Sequence, residues 1–203
     1  MPSTVQQLFT IANLKLEGKI KWGECIPCDL PGVYVVSTSP NSEHNQGSLL
    51  ATAPLDKQKI QAWTTRVLKF KIDGCLPTVD TIYKRLSHFW LPDESIVYIG
   101  KAGTSLKTRI GEYYRTPLGN RKPHAGGHWI KTLNNINQLI IYWSSTPTPE
   151  KKEDELLKQF ILNVSPATRS ILFDSSRPFP FANLEYPKGN RKTHGLKNQV
   201  ERD

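Results

Sequence analysis

The stretch that most constrains this chain is Val97-Tyr98-Ile99-Gly100-Lys101, an apolar run that ends in glycine and passes at once into a capped amphipathic segment. Residues 95–100 read as a strand. Thr104 or Ser105 supplies the N-cap of a helix in which Leu106, Ile110, Tyr113 and Tyr114 form the buried stripe, with Arg109 at its edge. A second β-branched run, Gly32-Val33-Tyr34-Val35-Val36, lies between Pro31 and the turn-forming Ser37-Thr38-Ser39-Pro40. Period two puts Tyr34 and Val36 on one face of that strand and Val33 and Val35 on the other.

Residues 38–94 separate the two runs. They open with a polar loop and continue with two predicted helices, at 56–68 and 79–90, so they read as a helical insertion between strands. A helix is predicted over 4–16, and 19–31 reads as a loop broken by Pro27 and Pro31. After the helix at 105, residues 115–127 form a basic loop, 129–133 a short helix and 138–143 a third strand. Thr146-Pro147-Thr148-Pro149 introduces a helix at 150–162, 165–180 reads as irregular, and 184–203 is a basic tail. The expected fold is α+β: one domain with a small, mainly antiparallel three-stranded sheet flanked by helices.

Charge narrows the partner. The chain of 203 residues carries a net charge of +9, which favours an acidic partner, nucleic acid above all. From Lys101 to Lys131 there are seven Lys or Arg against the single acid Glu112, so six of the nine excess charges lie there. No apolar run reaches the roughly 18 residues of a membrane span, and residues 1–10 lack the pattern of a secretory signal. A cytoplasmic protein is expected. Three cysteines, Cys25, Cys28 and Cys75, leave one unpaired in any disulfide scheme, and Cys25-Ile-Pro-Cys28 lacks a second ligand pair for zinc. The chain has no Gly-x4-Gly-Lys-[Ser/Thr] run for a P-loop enzyme.

On the helix at 150–162, a turn of roughly 100° per residue centres the stripe of Leu156, Leu157, Phe160 and Ile161 about 10° from Glu153. A carboxylate there needs an ion-pair partner, a metal or a cleft rim, unless it swings outward as a first-turn glutamate. Arg109 stands equally as a phosphate partner or as half of a salt bridge.

Together these residues resemble a family. Gly32-Val33-Tyr34 followed by Tyr98-Ile99-Gly100 is similar to the paired tripeptides of the GIY-YIG nuclease superfamily. Tyr98-Ile99-Gly100-Lys101-Ala102 with Leu106, Arg109 and Tyr113 resembles the N-terminal nuclease module of the bacterial excision-repair endonuclease. Glu153 with Leu156, Leu157 and Lys158 resembles its metal-binding glutamate helix, and Pro180-Phe181-Ala182-Asn183 its asparagine-bearing end. The chain departs from the usual pattern in the 57 residues of 38–94, in the long segment before Asn183, and in having no obvious separate DNA-binding domain.

The resemblance implies a divalent-metal-dependent endonuclease acting on DNA, RNA not being excluded, as a monomer or a dimer. The implied catalytic set is Tyr34, Tyr98, Lys101, Arg109, Glu153 and Asn183. Glu153 is the only protein ligand to Mg²⁺ or Mn²⁺, Arg109 holds the scissile phosphate, Tyr34 takes the proton of the attacking water, and Tyr98 positions water or phosphate. A phenol with a pKa of about 10 is poorly ionised at neutral pH, so Lys101 and the metal are expected to activate it. Lys107, Tyr113, Arg115, Arg121, Lys122, His124, His128, Arg191 and Lys192 are the expected nucleic-acid contacts. The alternative is a catalytically silent nucleic-acid-binding module on the same scaffold.

Overall fold

A computed structural model describes residues 2–120, 122–123 and 126–197. Arg121 and His124, both expected nucleic-acid contacts, lie outside the described residues. Among the described residues the fold is α+β, with an antiparallel four-stranded sheet and a separate two-stranded one.

The main sheet runs β1 (Gly18–Lys21), β5 (Ile140–Ser145), β2 (Gly32–Ser37), β4 (Ile96–Ala102). The expected three strands are therefore four. The extra one, β1, falls in the stretch read as loop because Ile20 is its only large apolar side chain, flanked by exposed Lys19 and Lys21. It is an edge strand facing solvent with lysines, which discourage further pairing.

Both faces of β2 are buried, and the two sides have different partners. Val33 and Val35 pack with Leu8 and Phe9 of α1 (Val5–Ile11) and with Leu156 and Phe160 of α5 (Pro149–Asn163). Tyr34 and Val36 pack with Leu106 and Ile110 of α4 (Leu106–Arg115), and with Ile60 and Trp63 of α2 (Lys57–Arg66) and Ile82 and Leu86 of α3 (Val79–Ser87). At roughly 1.5–3 kcal/mol per fully buried large apolar side chain, two cores share β2 as their common wall. Residues 38–94 thus cover the Tyr34 face of the sheet.

Several boundaries move. α1 stops at Ile11, because Asn13 turns into the left-handed region at φ 50°. α3 ends at Ser87, short of the expected Trp90. The short helix after the basic loop is a 3₁₀ segment, His128–Thr132. A short α6 (Pro166–Ile171), capped by Ser165, occupies part of the stretch read as irregular. The basic tail is tied down as far as Lys197: β6 (Leu196–Lys197) pairs with β3 (Lys71–Ile72) of the insertion. Arg85 reinforces this by holding Asp73 at 2.7 Å and the His194 carbonyl at 2.8 Å.

Candidate active site

The antiparallel register of β2 and β4 sets Tyr34 opposite Gly100. The Tyr34 ring lies across that glycine, since a Cβ at residue 100 would stand 2.7 Å from both Tyr34 Cζ and Tyr98 Cε1. Tyr34 and Tyr98 have ring centroids 5.9 Å apart and are hydrogen-bonded to each other. Tyr113, one ring further at 5.6 Å from Tyr98, donates its hydroxyl to the Gly127 carbonyl at 2.6 Å.

Ser105 caps α4 by accepting the Thr108 N–H, which sets the helix phase that turns Arg109 toward the tyrosines. Among the described residues Arg109 makes only long contacts, 3.5 Å each to Glu112 Oε2 and the Pro123 carbonyl, and its side chain is 35% exposed. Its charge reaches Tyr34, Tyr98 and Glu153, favouring the ionised form of each.

Glu153, in the first turns of α5, faces the sheet as the helical pattern predicts. Its side chain is 21% exposed, and Oε2 sits 3.0 Å from Lys101 Nζ. Burial raises its pKa above the ordinary carboxylate value despite the opposing pull of Lys101 and Arg109. Oε1 has no hydrogen-bond or ion-pair partner among the described residues.

Two expectations need correction here. Lys101 is not beside Tyr34: it opposes Val33 in the ladder and so shares the α5 face, where it pairs with Glu153 at 3.0 Å and Glu150 at 3.9 Å. Nor does Lys101 or any other group of the chain bring either central phenol below its ordinary value. Burial pushes Tyr34 well above its ordinary pKa, and burial followed by the Glu153 charge raises Tyr98; Arg109 only partly opposes these shifts.

Asn183 is engaged with the backbone of β4. Its Oδ1 accepts the Ile99 N–H at 2.9 Å and its Nδ2 donates to the Ile99 carbonyl at 2.8 Å. The side chain thus acts as a short strand on the free edge of β4, beside Tyr98, and holds that strand in place.

The expected nucleic-acid contacts divide. Lys107, Arg115, Lys122 and Arg191 are exposed, Lys107 lying 3.7 Å from Asp29 and Arg191 3.7 Å from Glu185. Tyr113, His128 and Lys192 are buried and do not form the surface expected of them. Lys192 donates to the carbonyls of Pro180 and Phe181 at 2.9 and 3.0 Å, so it fastens the segment that carries Asn183. Lys131 donates to the carbonyls of Tyr113, Tyr114 and Thr116, closing the C-terminus of α4, a role that only its position after that helix hinted at.

As to metals, no group of three or more His, Cys, Asp or Glu among the described residues could hold an ion. The three cysteines are free thiols. A single carboxylate with one uncommitted oxygen fits a hard cation whose other ligands are water and phosphate oxygen, the preference of Mg²⁺ or Mn²⁺. No described helix is long and apolar enough to cross a membrane. No family model matches the chain, and neither a curated protein nor a solved structure matches it.

Proposed function

We propose that this chain is a divalent-metal-dependent endonuclease that hydrolyses phosphodiester bonds in DNA, on a scaffold of the GIY-YIG type. The observation that carries the reading is the meeting of the Tyr34 and Tyr98 rings over Gly100, with Arg109 of α4 and Glu153 of α5 both within electrostatic reach of Tyr98. Arg109, held by two long contacts, has donors to spare for a phosphate and for charge growing on its non-bridging oxygens. Glu153 Oε1 is the atom that would hold the metal, which supplies charge neutralisation and a more acidic water. Lys101 keeps Glu153 in place and tempers the cost of its burial. With its proton held by burial, Tyr34 fixes Tyr98 through their hydrogen bond, and Tyr98 orients a phosphate oxygen or water.

One observation favours the alternative of a silent nucleic-acid-binding module: both phenols are shifted away from ionisation. The test separates the two. Purified protein is incubated with supercoiled plasmid, branched DNA and RNA, in Mg²⁺, in Mn²⁺ and in chelator. Metal-dependent nicking that falls by about a hundredfold or more in Arg109→Ala is expected. Salt-sensitive binding without cleavage under every condition would replace the nuclease reading with the binding module.

A further inference from the structure

The insertion meets the end of the site helix at a cleft of about 390 Å³. One wall is Trp63 and Arg66 of α2, and the other is Trp22 with Tyr114 at the end of α4; Lys59 and Lys131 also line it. Among the described residues three cations border this cleft and no carboxylate does. The contrast with the neighbouring groove between α2 and α3 is direct, because there Lys57 is neutralised by Asp80 at 2.7 Å.

The cations differ in freedom. Lys59 is pinned to the Leu133 carbonyl at 2.7 Å and Lys131 to the end of α4, so both are fixed as wall charges. Arg66 is exposed and, among the described residues, has no hydrogen-bond or ion-pair partner. The rings differ likewise. Trp63 is buried and forms inner wall, whereas Trp22 and Tyr114 are half-buried and keep open surface. Trp22 stands edge-on to Tyr113 at 5.0 Å and to Tyr114 at 5.1 Å. Tyr113 in turn meets Tyr98 at 5.6 Å, so the rings run without a break from the cleft to the proposed active site.

We propose that this cleft receives an unpaired base of a single strand, with Arg66 on the flanking phosphate, and that the 38–94 insertion thereby directs the enzyme to DNA carrying a single-stranded segment. Aromatic surface beside fixed positive charge is the combination that binds single-stranded nucleic acid with little regard to sequence. The volume suits one ligand ring system and its polar attachments. A paired base cannot enter, and duplex relies on the exposed Lys107, Arg115 and Lys122. The choice of substrate, though not the binding itself, rests on the nuclease reading above.

The experiment measures binding of a fluorescent ten-nucleotide oligothymidylate and of a blunt duplex, without divalent metal, to the full chain and to Arg66→Glu, Trp22→Leu and Trp22→Tyr. Arg66→Glu and Trp22→Leu are expected to weaken oligothymidylate binding by about tenfold, leave the duplex within about twofold, and Trp22→Tyr to retain binding. Arg66 is on the surface, so its variant tests the proposal even if Trp22→Leu, which loosens packing on Tyr113, fails to fold. Unchanged oligothymidylate binding in Arg66→Glu, or equal loss for both probes, overturns the proposal. Plasmid nicking on the same proteins separates the two readings: selective loss of oligothymidylate binding in a chain that cuts nothing upholds the cleft and removes the nuclease, and full nicking with unaltered binding does the reverse.

Discussion

Two of the places where this molecule draws charged side chains out of water treat them oppositely. In the C-terminal segment, Lys192 lies under the surface with its ammonium on two carbonyls and 5.6 Å from the centroids of both the Phe89 and Trp129 rings; burial lowers its pKa to about 7. Asp174 nearby would be raised by burial, but hydrogen bonds from the Thr193 N–H, Ser176 and Arg177 bring it below its ordinary value. At the β4 edge, among the described residues, Arg109 has only contacts of 3.5 Å and Glu153 keeps one oxygen uncommitted. The first cluster is complete in itself and holds Asn183 on β4. On the proposed reading the second is completed by a phosphate on Arg109 and a cation on Glu153. Buried charge serves the fold where its partners are internal, and leaves room for a substrate where they are not.

The largest effect that would sharpen this contrast lies at Glu94, which is buried and only half satisfied. Its Oε2 accepts the Ser3 N–H at 3.0 Å, Oε1 has no partner among the described residues, and burial raises its pKa to about 8. A carboxyl raised from 4.5 binds its proton more tightly when folded, so its contribution is full below about pH 4.5 and lost as pH rises through 8. Glu94→Gln should remove a fall on the order of 4 kcal/mol across that window, read by urea unfolding at several pH values. Parallel pH profiles for both proteins would show that Glu94 is not the source.

Next in size, Lys192→Ala should cost about 3 kcal/mol in the same measurement, because two buried carbonyls lose their donor, whereas Lys101→Ala should cost under about 1 kcal/mol as one half of a partly exposed pair. Equal costs would dissolve the distinction between the two regions. Smaller again, Gly100→Ala should destabilise by about 2 kcal/mol through collision of its Cβ with the two tyrosine rings, and should disturb the near-ultraviolet circular dichroism of the Tyr34–Tyr98 pair. An unperturbed spectrum would mean the rings have room that the geometry denies them.

Local pattern carried much of this architecture. The alternation of Val33, Tyr34, Val35 and Val36 separates the two cores as period two requires, and the helical spacing around Glu153 places its carboxylate against the sheet. The same alternation, applied to β4, puts Lys101 an odd number of residues from Tyr98 and hence on the opposite face, a signal present in the sequence that the expected pairing with Tyr34 overrode. β1 was hard to see because one isoleucine between lysines is a weak strand signal. The burial of Lys192 and the clamp of Asn183 on Ile99 depend on partners in other segments, and no local pattern distinguishes a lysine bound to carbonyls from one in a solvated tail. Nothing in residues 38–94 taken alone reveals that they cover the Tyr34 face and form a wall of the cleft.

The central claim is that the β4 edge is a site awaiting substrate and metal, not a structural ion pair. The most direct measurement is the rate of plasmid nicking in Mn²⁺ by Glu153→Gln, which keeps the shape of the side chain and removes its charge. Because burial already favours the neutral form of Glu153, the variant should fold as stably as the unmodified chain. Its nicking rate should fall by about a hundredfold or more. Nicking by Glu153→Gln at the rate of the unmodified chain would contradict the account.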